Sequence, residues 1–280
     1  MSTHAVTLLF HDVVPEGRWE SSGFQGAGAD VYKLDCARFH GHLQAIAQSL
    51  RSKPITAIEL LAGARPPADS PVLLTFDDGG VSASLHIAGM LDEFGWKAHF
   101  LVTAGRIGTP GFLDAAQIRD LHRRGHVIGS HSYSHPLRMA LCSTAALNDE
   151  WRRSTLVLSE ILGEPIRVAS VPGGYYSRQV AVAADTAGIE LLFNSEPVTH
   201  LRTVAGCLVV GRFTAQRSTP PAWSAAIVAG GGQARIRQYL FWNAKKIAKI
   251  LLGGLWLRAR VTLLSRRSAD PSRSGADPRP

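Results

Sequence analysis

From the first residues to about residue 215, short apolar, β-branched runs alternate with stretches of helical period, and that alternation leaves few folds open. "VTLLFHDVV" reads as a strand, Cys36 to Leu50 as a helix, "PVLLTFDD" as a strand and Ser84 to Phe94 as a helix. The series runs on through "KAHFLVTA", Asp114 to Arg124, "HVIGSHS", Thr144 to Leu162, "IRVASVPGG", Arg178 to Ala187, "IELLFNS" and "CLVVGRFTA". Gly95, Gly125, Gly163 and Gly188 stand just past four of the helices, where a left-handed cap is needed, and a strand follows within a few residues. Connections that short imply parallel strands. The expected fold is therefore α/β, an irregular (β/α) barrel of about seven strands over residues 1–222, with its chemistry at the C-terminal ends of the strands. His11, Asp77, Asp78, His131 and Pro172 all fall at that end.

After "QRSTPPAWS" the pattern changes, and the glycines 230–232 read as a hinge. Residues 223–267 form an expected basic amphipathic helical extension, with Ile236, Leu240, Ile247, Leu251 and Trp256 set among Lys and Arg, and residues 268–280 an expected disordered tail. The formal charge of +8 resides there: Gln233 to Pro280 hold 11 Lys and Arg against 2 Asp, a net +9, leaving 19 basic and 20 acidic residues before them, a net −1. Nucleic-acid binding by the main domain has no compositional support. A basic amphipathic segment too short to span instead suggests peripheral contact with an anionic membrane surface. Cys36, Cys142 and Cys207 are odd in number and in no CxxC spacing, which argues against a disulfide framework and for a reducing compartment. "MSTHAVTLLFHDVVPEG" lacks a basic start and is interrupted by Asp12, so the expected location is cytoplasmic, at the inner face of the cell membrane where the extension touches it.

"LLTFDDGG" places two carboxylates, Asp77 and Asp78, where a buried strand meets a turn. Repulsion and desolvation disfavour such a pair unless something compensates. "HSYSH" supplies His131 and His135, four apart at another strand end; the two imidazoles converge on one cation if the chain turns helical after His131. With one aspartate they make a 2-His-1-carboxylate set, leaving the second aspartate free as a base. Taken singly, HxxxH is common as two surface histidines and DDGG as a turn. Together, at equivalent strand ends with a Pro-Gly loop at a third, they form a coherent site.

"TFDDGG", "HSYSH" and "SVPGGYYS" resemble motifs one, two and three of the NodB-type polysaccharide deacetylases, carbohydrate esterase family four, over about residues 5 to 215. The resemblance implies that Asp77 is the general base, that Asp78, His131 and His135 hold a divalent metal, usually zinc, and that the Gly173 N–H is the oxyanion donor. Pro172, Gly174 and Tyr175, in the same loop, are the implied substrate-binding residues. Two departures stand out. Ser170 occupies the place of the arginine that usually orients the base, with Arg212 and Arg167 as candidate replacements, and no late Leu-x-His motif supplies the usual catalytic acid. "FHDVVP" resembles the permuted Tyr-His-x-Val-like element of some members, which makes His11 the candidate acid.

The implied activity is metal-assisted N-deacetylation of an acetylated amino sugar, in a poly- or oligosaccharide or a lipid-linked precursor of an exopolysaccharide. A catalytically silent carbohydrate-binding relative and a sugar O-deacetylase are the alternatives. Trp151 and Trp223 are candidate sugar-stacking platforms, although a helix Trp set in "DEWRRS", as Trp151 is, is more often packed or half-exposed; Tyr175 and Tyr176 are better placed to line a cleft. His86, His99, His122 and His126 have no converging partner in the pattern and read as structural.

Overall fold

The computed structural model describes residues 3–64 and 70–244. The chain begins with β1 (Val6–Phe10), β2 (Val13–Val14), α1 (Ala27–Asp30), β3 (Leu34–Asp35), α2 (Cys36–Ser49) and α3 (Ala57–Leu61). Next come β4 (Val72–Phe76), α4 (Ala88–Glu93), β5 (His99–Val102), α5 (Ala115–Arg123), β6 (Val127–Ser130) and α6 (Thr144–Leu162). β7 (Val168–Ser170), α7 (Arg178–Thr186), β8 (Leu191–Phe193), β9 (Arg202–Val204), β10 (Cys207–Val210), β11 (Phe213–Thr214) and α8 (Pro221–Val228) follow.

The helices begin and end where local chemistry dictates. Asp35, Thr56, Asp114, Ser143 and Ser177 each accept a backbone N–H at a helix start, and Gly163 closes α6 at φ 75°, a backbone angle that costs an L side chain energy. α4 is preceded by a turn of π-helix, Ala83–Ile87, directly after the two glycines of the DDGG turn.

Nine strands form one sheet in the order β11-β1-β4-β5-β6-β7-β8-β10-β9, parallel except for the β10–β9 pair, while β2 and β3 form a small separate ladder. The sheet curls until residues 3–5 meet residues 199–201, where Ala5 N–H donates to the Thr199 carbonyl and Leu201 N–H to the Thr3 carbonyl. Side chains alternate across it with period two: on β4, Val72, Leu74 and Phe76 join the large outer core with the helices, and Leu73 points to the smaller inner core with Leu101, Val168, Leu191 and Phe193. Ala57 and Leu60 of α3 belong to that inner core.

Among the described residues the main sheet has nine strands, rather than the expected seven or so. β9 is mostly exposed and has no apolar alternation to announce it. "CLVVGRFTA" is two strands, because the chain breaks at Gly211 and Arg212 and changes partner from β8 to β1. "VTLLFHDVV" likewise ends its ladder at Phe10, leaving His11 and Asp12 between β1 and β2. α8 packs on α2, where the His42 ring meets Ser224 Oγ at 2.8 Å. Residues 232–244 are helical; the rest of the expected extension and the tail, residues 245–280, lie outside the described residues. Among the described residues no helix is long and apolar enough to cross a membrane.

Three buried histidines tie the layers together. His99, inside the sheet, donates Nδ1–H to the Leu74 carbonyl at 2.7 Å and accepts the Ala57 N–H at Nε2 at 2.7 Å, so it must be neutral to make both bonds. Burial pushes His42, His99 and His126 from 6.5 down to about 4. A folded-state pKa below the unfolded value means that the unfolded chain takes up protons first as pH falls. Stability is thus fully present above about 6.5 and declines as pH drops toward about 4, by up to about 3 kcal/mol per histidine. Urea midpoints measured at pH 7 and pH 5 are expected to show this loss; equal midpoints would contradict it.

Candidate active site

The site gathers at the C-terminal ends of β1, β4, β6 and β7 and at the break between β10 and β11. Asp77 continues the β4 ladder, its N–H on the Phe10 carbonyl. Asp78 then turns to φ 78°, a left-handed angle unusual for a non-glycine residue, which sends the two adjacent carboxylates to different partners. The two glycines that follow have their own reason: a Cβ on Gly80 would stand 1.9 Å from Asp12 Oδ1. Asp12 is buried there, accepting hydrogen bonds from Ser22 and Ser82 hydroxyls at 2.6 and 2.8 Å, and burial pushes its carboxyl up.

Asp78 faces the histidines. Its Oδ1 lies 3.4 Å from His131 Nε2 and 3.6 Å from His135 Nε2, and the three ligand atoms fall within 4.8 Å of one another. The chain does not turn helical after His131, as the i, i+4 spacing suggested. It forms a loop in which Ser132 and His135 take left-handed angles, φ 63° and 60°. Glu150 of α6 fixes that loop by accepting Tyr133 and Ser134 N–H groups at 2.9 and 2.8 Å. Burial of Asp78 opposes its ionisation, but the His131 hydrogen bond and the other imidazoles around it outweigh burial and hold the carboxyl well below its usual range. Burial, with the charge of His131, pushes His135 down to about 4. An ionised carboxylate beside a neutral imidazole is the state a cation needs.

Asp77 is held by Arg212, which is fully buried. Nη1 and Nη2 donate to Oδ1 and Oδ2 at 2.7 and 2.8 Å, while Nε donates to the Asn194 carbonyl at 2.9 Å. Burial alone would raise the Asp77 carboxyl, yet the guanidinium, with His131, brings it below the ordinary carboxylate value. Ser170 Oγ donates to Asp77 Oδ1 at 3.0 Å and lies 2.6 Å from His131 Nδ1. With its hydrogen committed to the aspartate, the hydroxyl accepts Nδ1–H, which leaves Nε2 as the nitrogen facing Asp78 and His135. Arg167, the other candidate, pairs with Glu190 through Nε and Nη2 at 2.5 and 2.7 Å, half-exposed and away from Asp77.

The family model for polysaccharide deacetylases matches residues 64–192. Over those residues the chain belongs to the polysaccharide deacetylase family. It is 25% identical over 144 residues to a putative polysaccharide deacetylase, YxkH, of Bacillus subtilis; the match covers 51% of each, so the chain spans about half the length of that curated relative. Two solved structures share the fold. The deacetylase PplD of Streptococcus pyogenes, in complex with acetate, has a TM-score of 0.66 at 18% identity over 79% of this chain and 96% of its own. IcaB of Ammonifex degensii has a TM-score of 0.66 at 24% identity over 82% and 98%.

Within this deacetylase fold His11 directly follows Phe10, which pairs with Phe76 and accepts the Asp77 N–H, so it stands at the strand end beside the two aspartates. The third-motif loop, Pro172–Gly174, is a tight turn with Gly173 at φ 60° and Gly174 at φ 69°; Pro172 is buried and Tyr175 half-buried. Trp151 is fully buried with its Nε1–H on the Val180 carbonyl, and Trp223 packs against the core, so both are structural. Sequence reading gave no role to Phe24, whose ring sits 4.8 Å from that of His135, nor to Glu150. Neither belongs to a motif, and no local spacing points to them.

Replacing Arg212 leaves a buried carboxylate without its counter-charge. Arg212→Met is expected to cost about 3–5 kcal/mol of stability and to move the Asp77 carboxyl titration, followed by carbon NMR, to higher pH. An unchanged Asp77 titration would refute the assignment.

Proposed function

We propose that the chain is a metal-dependent N-deacetylase of an acetylated amino sugar, acting on a poly- or oligosaccharide or a lipid-linked precursor of an exopolysaccharide. The observation that carries this reading is a base carboxylate, Asp77, held ionised by Arg212 one residue away from the cluster of Asp78, His131 and His135. That cluster fits a divalent cation such as zinc in donor type, protonation state and the hydrogen bond that orients His131. A bound cation there supplies Lewis acidity toward the acetyl carbonyl and the attacking water. Asp77 takes the proton from that water, with Ser170 and Arg212 fixing its orientation. The Gly173 N–H is the assigned donor to the developing oxyanion, and His11 gives a proton to the leaving amine. Pro172, Gly174 and Tyr175 are the proposed substrate contacts.

The alternative of a silent carbohydrate binder rests on Ser170 standing in place of arginine. With Arg212 on Asp77, that ground disappears. O-deacetylation uses the same residues and differs only in the bond cut. A location at the cytoplasmic membrane face belongs to the proposal as well, supported by the basic C-terminal segment and by exposed Ile236, Leu240 and Phe241 on the helix at residues 232–244. The protein should then co-sediment with anionic vesicles at low salt, and failure to do so rejects the location.

The central test is acetate release by metal-loaded protein from a panel of N- and O-acetylated saccharides. Asp77→Asn is expected to keep the bound metal and lose about 10²–10⁴-fold in turnover, since the amide cannot accept the proton. His135→Ala is expected to lose metal and activity together. Metal content equal to wild type in His135→Ala, or full turnover in Asp77→Asn, would refute the corresponding role.

A further inference from the structure

The acid assigned to His11 has an unusual support. Its Nδ1 is shut inside the protein without a hydrogen-bond partner, which leaves Nε2 as the nitrogen available to a substrate. A working imidazole is normally held in one tautomer and one orientation by a hydrogen bond to its far nitrogen. Here an aromatic face takes that place. The Tyr32 ring lies against His11 with centroids 4.8 Å apart and planes 32° from parallel.

Tyr32 is itself firmly placed, although it sits in the irregular segment between β2 and β3. Its N–H donates to the Ala29 carbonyl at 2.9 Å, and the preceding Val31 carbonyl accepts the Arg217 N–H at 2.8 Å. The following residue, Lys33, is 1% exposed; its ammonium donates to the Trp19 carbonyl at 2.5 Å and lies 3.2 Å from Asp30. Across that turn the Arg217 guanidinium covers the Trp19 ring at 3.7 Å. A lysine is taken out of water only where its partners are fixed, so the chain on both sides of Tyr32 is pinned.

We infer that Tyr32 is a positioning residue for His11, setting the plane of the imidazole and facing its charged form with the negative side of a π system. The role requires the ring and not the hydroxyl. It rests on the reading of His11 as the acid, and it adds to the site a residue outside the matched segment 64–192.

The test uses the full-length, metal-loaded protein and the variants Tyr32→Phe, Tyr32→Leu and His11→Ala. Two probes are compared: acetate release from N-acetylglucosamine oligomers, whose amine must be protonated to leave, and hydrolysis of 4-nitrophenyl acetate, whose phenolate leaves without help. Tyr32→Leu is expected to lose about 10–100-fold in kcat on the amide, with KM and the activated ester changed less than about twofold, while Tyr32→Phe behaves as wild type. Imidazole nitrogen NMR supplies a readout that needs no turnover: Tyr32→Leu should alter the His11 tautomer signals and Tyr32→Phe should not. Wild-type His11 signals in Tyr32→Leu, or equal loss on both probes, overturns the inference. Equal loss on both probes in His11→Ala removes the acid reading instead, and the NMR comparison then decides Tyr32 alone.

Discussion

The site depends on the buried pair of Asp77 and Arg212. Two carboxylates side by side at a strand end repel one another and lose solvation, and neither can remain ionised there without a counter-charge. Arg212 supplies it to Asp77 through two short hydrogen bonds in the protein interior, and Asp78 turns instead to the His131 imidazole, with His135 alongside. The left-handed turn at Asp78 makes the division possible, because it sends adjacent side chains to opposite partners. Once that division is made, one carboxylate faces the imidazoles and its neighbour the guanidinium, the arrangement on which the proposed roles of ligand and base rest.

Ser170 joins the two halves. A guanidinium at that position would bring charge to Asp77 from β7; the small hydroxyl instead bridges Asp77 and His131, and the charge arrives from across the sheet. The exchange preserves what the proposed chemistry needs, an ionised Asp77 and a His131 ring oriented with Nε2 toward Asp78. It also explains why Arg212 has no exposed surface: its Nε and both Nη groups are spent on Asn194, Thr75 and Asp77. A lysine could carry the charge but not that planar set of bonds.

The segment between β2 and β3 forms a second wall. Phe24 lies on the ring of His135 and meets Phe112 edge-on, Tyr32 lies on His11, and Ser22 and Gly23 close around the buried Asp12. Residues before and after the segment that matches the family thus complete a site whose ligands lie within it. The N-terminal part brings His11, the proposed acid, with Tyr32 against its ring, and the stretch after β10 brings the guanidinium.

The sequence by itself determined the local terms. Helical period and capping residues located α2, α5, α6 and α7 to within a residue or two, because hydrogen bonds and φ angles of one turn depend on neighbours in the chain. The ligand types and strand-end positions of Asp77, Asp78, His131 and His135 were legible for the same reason, and the curl of the sheet then brought them together. Only the tertiary structure decided which arginine holds the base, since Arg167 and Arg212 are equal as side chains and differ in where the sheet takes them. It also decided the strand count, since β9 is pinned by pairing with β10 and not by an apolar pattern of its own. The support of His11 by Tyr32 belongs to the same class: a contact between two rings about twenty residues apart leaves no period and no motif in the chain, and exists because Lys33 and Arg217 fix the backbone that carries it.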